Sequence, residues 1–448
     1  MEYLAFKDLV IAKAQEMGLA EYEIYYHGSA GIMANAFGAE IDQFSASSDG
    51  GVCFRCIVNG KMGYASTEEL SPQQAASIVE KAVDNASILE SEEPVFLVAG
   101  GQNYTQIQRN DPPLPQANDL ITRVLQVQQM LNEANPAITE GSMSRGMGHT
   151  GCIAICNSKG LDLYKEYALN ALMIGAVVTD GKEKANDYQL KVGALSQIDA
   201  RKLIQTATNM ALSKLGGEPA PTGVYPVVFD PEAMSDLLST FAGIFDGESA
   251  QKGLSKLKGQ EGNAIASEVV TLIDDPFHPE NPIPMSFDAE GSPTHKKNII
   301  EKGVLKTLLH NLQSANMAGL ATTGNASKGK YDSPVGINPF TMHIAPGEFT
   351  EEQLLEKAGT GVYIRSLSGL HAGANAITGD FSLQSEGYMI EKGQKTTHVN
   401  GFTVAGNFYD LLKNITAVAN NLTIPSPTGI TTYGSPSVLV ENLSVAGK

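Results

Sequence analysis

The stretch that decides how the second half of the chain folds is residues 225–262, YPVVFDPEAMSDLLSTFAGIFDGESAQKGLSKLKGQEG. It predicts a short buried strand over residues 227–229 that runs directly into a helix. Asp230 is a favourable N-cap, and Pro231 takes the first helical position, where its missing N–H costs nothing. Gly247 predicts that the helix ends or kinks just before it. The helix has one broad apolar face: Leu237, Leu238, Phe241, Ile244 and Phe245.

A strand, an N-cap and a helix can also carry two histidines and a glutamate that bind zinc on one helix face. In this chain residues 239–244 read Ser-Thr-Phe-Ala-Gly-Ile, and none of these is a usual zinc ligand. Phenylalanine and isoleucine suit core packing instead. The residues therefore favour a buried structural helix over a metal-binding one.

The composition is that of a folded, soluble and acidic protein. The chain has 448 residues, of which 42% are apolar, and this is enough for two or three domains with cores of their own. Its 45 glycines indicate tight turns and β-rich structure. The net charge of −18 repels a phosphate backbone, and lysine and arginine are spread singly, so we expect no binding to nucleic acid.

The first residues predict an amphipathic helix and not a signal peptide, because charge begins at Glu2 and apolar residues recur at helical spacing. No run approaches the ~18 apolar residues that a membrane-spanning helix needs. We therefore expect a cytoplasmic protein without a membrane partner.

The four cysteines form a C-x-x-C pair, Cys53 and Cys56, and a C-x-x-x-C pair, Cys152 and Cys156. Such spacings occur in zinc sites. Both pairs lie in alternating apolar runs typical of strands, in which Cys53 and Cys56 point to opposite faces. Buried free thiols are the favoured interpretation, and a metal site or redox chemistry are the alternatives.

The first half of the chain predicts helices packed on antiparallel strands. Its clearest hairpin turns at Asn59-Gly60, a pair that suits a type I′ turn, and another turn is expected at residues 49–51, Asp-Gly-Gly. Segments 1–95 and 115–217 both combine helices with strands, which suggests a two-fold repeat of one supersecondary plan. In the second segment we expect separate strands at 138–145, 152–157, 162–167, 171–179 and 187–192.

The fold class we expect is α+β, with two domains. Residues 1–217 form the N-terminal α+β domain, and residues 218–224, EPAPTGV, read as a linker. Residues 225–448 form a C-terminal β-rich domain with a few helices. Within it, the polar and glycine-rich residues 322–336 predict a mobile surface loop, and residues 408–418 predict a helix.

Two loops of the second half concentrate carboxylates. Asp274 and Asp275 precede a proline, and Asp288 and Glu290 alternate with small residues before a glycine. These carboxylates can bind a hard cation or act as an acid–base pair. The alternative, which the residues favour, is that the aspartates cap turns beside Pro and Gly.

His371, Asp380 and Ser382 are weaker candidates for chemistry or substrate binding. They lie within twelve positions of one another, but a nucleophile and its base are recognised by geometry and not by spacing. The sequence around Ser382 does not read G-x-S-x-G. The chain also has no phosphate-binding loop, and its histidines are scattered.

A series of short motifs runs in order through most of the chain. The N-terminal half contributes Gly51-Val52 with Arg55, Asn59-Gly60 and Gly63-Tyr64-Ala65-Ser66. The C-terminal half contributes Gly253-Leu254-Ser255, Leu272-Ile273-Asp274-Asp275-Pro276, Phe287-Asp288-Ala289-Glu290-Gly291, Gly303-Val304-Leu305, Thr322-Thr323-Gly324-Asn325-Ala326, Thr378-Gly379-Asp380-Phe381-Ser382 and Ala405-Gly406-Asn407. In these motifs the chain resembles the TldD/PmbA family, long labelled "modulator of DNA gyrase".

The resemblance implies two branches that differ in metal binding. The TldD-like branch resembles a zinc peptidase with H-E-x-x-x-H on the helix after the linker and a further cysteine ligand near the C-terminus. In this chain the motif positions are Ser239, Thr240 and Ile244, and no cysteine follows Cys156. The chain therefore looks like the PmbA branch, also called TldE, and we expect no cofactor in it, with zinc only in a TldD-type partner.

The resemblance further implies a cytosolic role in the proteolysis of small or unfolded polypeptides. The substrate is an extended peptide, which can bind as an added strand along the β-rich second half. The partner is a TldD-type sister chain in a heterodimer, or a second copy of this chain in a homodimer. The gyrase label implies a DNA role, which the net charge does not favour.

Three functions follow as hypotheses. In the first, the chain is a non-catalytic subunit of a metallopeptidase-like complex that completes or gates its partner's site. In the second, it is an autonomous hydrolase that uses Asp288, Glu290 or His371. In the third, it is a homo-oligomeric module that binds peptide without cleaving it.

Overall fold

A computed structural model describes residues 1–90, 93–109, 111–425 and 429–448 of the chain. Helices pack against largely antiparallel sheets, and the C-terminal part is rich in strands, which confirms the predicted α+β class. No helix in the described residues is long and apolar enough to cross a membrane.

The N-terminal part repeats one plan of helix, three strands and helix. Its sheet has the order β3-β2-β1-β4-β5-β6, and the two repeats meet where β1 pairs antiparallel with β4. The elements of the first repeat are α1 (Tyr3–Glu16), β1 (Glu21–Phe37), β2 (Glu40–Val58), β3 (Lys61–Thr67) and α2 (Pro72–Ile88). Those of the second are α3 (Ala117–Glu133), β4 (Met143–Asn157), β5 (Asp162–Thr179), β6 (Lys184–Val192) and α4 (Ala200–Ser213).

Several predicted boundaries in this sheet are wrong, because glycines that predict turns lie inside long strands. The turn expected at residues 49–51 is part of β2, and the strands expected at 138–145 and 152–157 are largely one strand, β4. A Cβ atom on Gly50 would lie 2.9 Å from the Gly28 backbone, and one on Gly151 would lie 2.2 Å from the Tyr167 ring. These glycines permit close packing and do not turn the chain.

The hairpin predicted at Asn59-Gly60 is confirmed. These residues connect β2 to β3 with φ angles of 52° and 78°, the left-handed pair that a type I′ turn requires. The cysteines lie in β2 and β4 as free thiols; Cys53, Cys56 and Cys156 are buried, and Cys152 is partly buried. Burial raises the pKa of Cys56 and of Cys156 to about 11.

The C-terminal part is built on two larger sheets. Their orders are β10-β9-β8-β13-β18 and β16-β15-β14-β7-β19-β17, and β11 pairs with β12. The helices are α5 (Pro231–Phe241), a 3-10 helix (Ala242–Phe245), α6 (Gly247–Gln251), α7 (Leu312–Ala318), α8 (Glu351–Ala358), α9 (Leu370–Gly373) and α10 (Phe408–Asn414).

The strands of the C-terminal part are mostly short. They are β7 (Gly223–Phe229), β8 (Leu272–Asp274), β9 (Lys297–Glu301), β10 (Val304–Leu305), β11 (Ala326–Ser327), β12 (Gly336–Ile337), β13 (Thr341–Ile344), β14 (Gly361–Ser368), β15 (Asp380–Glu391), β16 (Gln394–Asn407), β17 (Ile415–Val418), β18 (Thr432–Gly434) and β19 (Val438–Ala446).

The opening strand and helix form as predicted. Strand β7 leads into α5, and the Asp230 carboxylate accepts the N–H of Glu232 at 2.8 Å while Pro231 fills the first turn. The helix ends at Phe241, continues as a 3-10 turn, and stops where Asp246 caps α6. The whole apolar face is buried, which anchors this helix in the core: Leu237, Leu238, Phe241, Ile244 and Phe245.

Two local predictions in the C-terminal part are wrong. The helix expected at 408–418 ends at Asn414, because Ile415 and Val418 pair with β19 and join its sheet. The surface loop expected at 322–336 is partly buried, because the Asn325 side chain donates to the Asp274 carboxylate at 2.8 Å. In both places a long-range contact overrides a local signal.

One apolar cluster joins the N-terminal sheet to the C-terminal part. Tyr25, Ile153 and Tyr167 from the sheet pack with Phe287 and Phe340 from the second half. Aromatic side chains bury much area, so this cluster fixes how the two parts face each other. The candidate site opens directly beside it.

Candidate functional site

A cavity of about 720 Å³ lies between the N-terminal sheet and the C-terminal part. The face of β1 supplies Tyr25, His27 and Ser29, because residues two apart on a strand share a face. The opposite wall combines one side of α5, the loop that carries Asp288, and the segment 326–340. A concave, mostly apolar space with a few polar groups is typical of a ligand site.

Helix α5 presents three polar residues to this cavity: Ser235, Asp236 and Ser239. Burial raises the pKa of Asp236 to about 6, and the negative charges of Glu232 and Asp230 add to the increase. A half-buried carboxyl group on this wall can therefore take up or release a proton near neutral pH.

The positions that the family resemblance assigns to zinc ligands do not fit a zinc ion. Ser239 is exposed to the cavity, whereas the Thr240 hydroxyl donates to the backbone carbonyl of Asp236 at 2.8 Å. Ile244 is 1% exposed and packs in the apolar core. The three side chains offer neither imidazole nor carboxylate to a common point. Within the described residues no group of three His, Cys, Asp or Glu is arranged to hold a metal ion.

Asp288 is buried at the edge of the same cavity and holds its loop in place. Its Oδ1 accepts the N–H groups of Glu290 and Ser292, both at 2.9 Å, and its Oδ2 accepts the N–H of Ala326 at 3.0 Å. Burial and the neighbouring charge of Glu290 together raise the pKa of Asp288 to about 7. These contacts match the turn-capping role of aspartate.

Glu290 faces a different and smaller cavity of about 180 Å³, which Arg55 also lines. Its Oε2 accepts the N–H of Leu312 at 2.8 Å. Burial raises the pKa of Glu290, whereas the positive charge of Arg55 lowers it. Asp288 and Glu290 are close in sequence, and the charge of Glu290 affects the pKa of Asp288, but the two residues do not line the same cavity.

The other acidic loop is tied into the fold by ion pairs. Asp274 is fully buried, lies 3.2 Å from Nζ of Lys297, and accepts the N–H of Phe340 at 2.8 Å. Asp275 pairs with Lys296 at 3.1 Å. Neither of these two aspartates belongs to the described residues that line the 720 Å³ cavity.

His371, Asp380 and Ser382 lie away from this cavity. All three are exposed, His371 on the short helix α9 and the other two at the start of β15. Asp380 accepts the side-chain amide of Asn407 at 2.7 Å, and this hydrogen bond lowers the pKa of Asp380. The structure does not bring these residues to Asp288.

The sequence did not point to several residues that line the cavity, notably His27, His149 and Lys328. Burial lowers the pKa of His27, and His149 lowers it further, whereas Asp49 raises it. The alternation of Tyr25, His27 and Ser29 along β1 is a signal that could have found one wall. Lys328 gave no such signal, since it lies in the segment predicted as a surface loop.

Matches to known families give the class of this fold, which is that of metallopeptidase-related proteins. Residues 222–447 match the family model described as "PmbA/TldA metallopeptidase C-terminal domain", and residues 22–86 match "PmbA/TldA metallopeptidase domain 1". The chain belongs to the PmbA/TldD family.

Its relatives are similar over nearly the whole length. The Metalloprotease PmbA of Escherichia coli O157:H7 is 26% identical over 432 residues, which cover 95% of this chain and 92% of that protein. A putative modulator of a DNA gyrase from Thermotoga maritima is 28% identical with a TM-score of 0.89, and the match covers 99% of this chain and all of that structure. TldE from Thermococcus kodakarensis is 25% identical with a TM-score of 0.85 and the same coverage.

Proposed function

We propose that this chain is a PmbA/TldE-type subunit that binds an extended peptide in the 720 Å³ cavity and acts in cytoplasmic proteolysis with a zinc-bearing TldD-type partner. One observation carries the proposal. The helix to which the resemblance assigns the metal motif forms a wall of the cavity here, yet the motif positions are Ser239 and Thr240 on that helix and the buried Ile244 in the 3-10 turn that follows it. In this proposal the cavity remains a place for substrate, whereas the zinc-binding side chains that would activate a water molecule are absent from these positions.

The lining of the cavity supports peptide as the ligand. Tyr25, Phe287 and Phe340 offer apolar surface for side chains, and Ser239 and Asn338 offer groups that hydrogen-bond to a peptide backbone. The relatives named as metalloproteases and as TldE support the link to proteolysis.

The test is to co-express the chain with a TldD-type partner and to measure complex mass and peptidase activity. We expect a stable complex that cleaves unfolded peptides, whereas this chain alone, washed with chelator, does not. The matched control is a complex whose partner has glutamine in place of the motif glutamate; it should assemble and be inactive. Two separate monomers, or cleavage by the washed chain alone, would refute the proposal.

The same purified chain discriminates between the alternatives. An autonomous hydrolase should lose its activity in Asp288→Asn, Glu290→Gln or His371→Ala. The geometry disfavours that function, because Asp288 and Glu290 line different cavities and the exposed His371 lines neither. A homo-oligomer that binds peptide without turnover would instead favour the binding module. Cell fractionation tests the cytoplasmic location.

A further inference from the structure

Lys328 is a half-buried cation in the wall of the cavity. Its Nζ lies 4.5 Å from the centre of the Tyr25 ring, which is a cation–π contact. Among the carboxylates of the described residues it has no ion-pair partner. The Lys328 ammonium group is partly desolvated, and none of these carboxylates forms an ion pair with it. This arrangement is unusual in the lining of a cavity, because the charge has no close counter-charge.

Three of the nearby carboxylates are engaged elsewhere. Asp288 is occupied by three backbone N–H groups, and Glu23 lies 2.7 Å from the Arg55 guanidinium. Glu290 accepts the N–H of Leu312 and faces the smaller cavity. Burial lowers the pKa of Lys328, and the positive charge of Arg55 lowers it further, whereas Cys53, Glu23 and the exposed Asp332 raise it. The charge of Lys328 is therefore compensated only from a distance.

We infer that Lys328 binds a carboxylate group of the peptide that occupies the cavity. The inference rests on the proposed function, and it adds a specificity-determining residue to it. An ammonium group in a partly desolvated wall forms a charge-assisted hydrogen bond with a carboxylate, which is stronger than the bond to a neutral amide. The aromatic ring of Tyr25 fixes the lysine from one side and leaves its donors to the ligand.

A peptide has two sources of this carboxylate: its C-terminus and the side chains of aspartate and glutamate. A neutral peptide lacks both. Near the same wall Ile153, Met285 and Phe340 are apolar, so they suit the side chains that flank the carboxylate. The cavity should thus prefer an acidic group next to apolar residues.

The test is fluorescence anisotropy with the full-length chain and three labelled ten-residue peptides of Ala, Leu, Phe and Gln. One has a free C-terminus, one is amidated, and one is amidated with a central Gln replaced by Glu. We expect at least one acidic peptide to bind roughly tenfold more tightly than the neutral amide. Whichever acidic peptide shows this preference identifies the source of the carboxylate.

Variants at two lysines of the same loop test whether Lys328 causes the preference for acidic peptides. Lys328→Met should reduce it to less than twofold, whereas Lys328→Arg should retain most of it. Lys330→Met is the matched control, because Lys330 is exposed and does not line the cavity. Thermal melts establish that each variant is folded, and the Lys328→Arg result stands if Lys328→Met unfolds.

The outcomes separate this inference from the proposed function. Wild-type chain that binds all three peptides equally overturns the role of Lys328 and leaves peptide binding intact. Equal loss of preference in Lys328→Met and Lys330→Met also overturns the role of Lys328. Wild-type chain that binds none of the peptides refutes peptide binding by this chain, and the inference fails with it.

Discussion

The loops at Asp274 and at Asp288 carry buried aspartates in opposite electrostatic settings. Asp274 lies 3.2 Å from the Lys297 ammonium, so a full positive charge balances its carboxylate. Asp288 accepts three backbone N–H groups, and the negative charge of another carboxylate, Glu290, helps to raise its pKa. Two motifs that look alike in sequence therefore differ in the groups that stabilise the aspartate charge: a lysine ammonium group in one and backbone N–H groups in the other.

Both loops form hydrogen bonds with the segment that leads to Lys328. The Asp274 carboxylate accepts the side-chain amide of Asn325, and Asp288 accepts the N–H of Ala326. The comparison teaches that buried carboxylates beside a cavity are not in themselves catalytic groups. Here their hydrogen bonds position one wall of the cavity, and the loss of either should act first on stability.

The largest effect should come from Asp274→Asn, which leaves the buried Lys297 ammonium without its partner. We expect a loss of about 3–5 kcal/mol in the free energy of unfolding. Urea unfolding followed by circular dichroism at pH 7.5 measures it. The matched control is Asp275→Asn. Asp275 is itself buried, but its partner Lys296 is 58% exposed and stays hydrated without it, so the loss should be clearly smaller. Equal losses in the two variants would remove the contrast between the buried and the exposed lysine partner.

Asp288→Asn should have a smaller effect. Asparagine keeps one acceptor oxygen but turns an N–H₂ group toward one of the backbone N–H donors that Asp288 now binds. We expect a loss of about 1–3 kcal/mol in the free energy of unfolding, because a buried donor is left unsatisfied. Asp332→Asn, an exposed carboxylate in the neighbouring loop, controls for the change of charge. A loss as large as that of Asp274→Asn would contradict the distinction between the two loops.

The smallest effect is the pH dependence of the Asp288→Asn loss. The pKa of Asp288 is raised to about 7, so the folded chain holds a proton that the unfolded chain releases at lower pH. The contribution of Asp288 to wild-type stability therefore falls as the pH rises toward 7, and asparagine, which does not titrate, lacks this fall. Between pH 6 and pH 8 the loss caused by the variant should be greatest at pH 6 and smaller by about 1–2 kcal/mol at pH 8. Urea unfolding of both proteins across that pH range measures the change in the loss. A loss that increases with pH would contradict the raised pKa of Asp288.

The sequence could predict those parts of the fold that depend on neighbours along the chain. Asp230 and Pro231 mark the start of α5 by chemistry that acts within one turn, and Asn59-Gly60 marks its hairpin in the same way. The long strands could not be predicted, because the glycines inside them resemble turns until the packed neighbour is known. Gly50, for instance, lies against the backbone of Gly28.

The cavity could be predicted only in part. The resemblance to a family indicates α5 and Ser239, and the residue type of Asp288 makes it a candidate. Tyr25 and Lys328 meet from opposite halves of the chain, and their contact depends on how β1 packs against the second half. No local pattern contains that information, since it arises from tertiary packing.

The position of β7 has a consequence for how the protein is made. In its sheet β7 lies between β14 and β19, and Val227 pairs with Val440, which is synthesised more than two hundred residues later. On a ribosome the first strand of the C-terminal part therefore leaves the exit tunnel with both edges unpaired, and the edge that binds β19 stays open to other chains after β14 has been made. Such long-range closure makes folding slow. Chaperone capture of the nascent chain should thus persist until residues 438–446 have emerged.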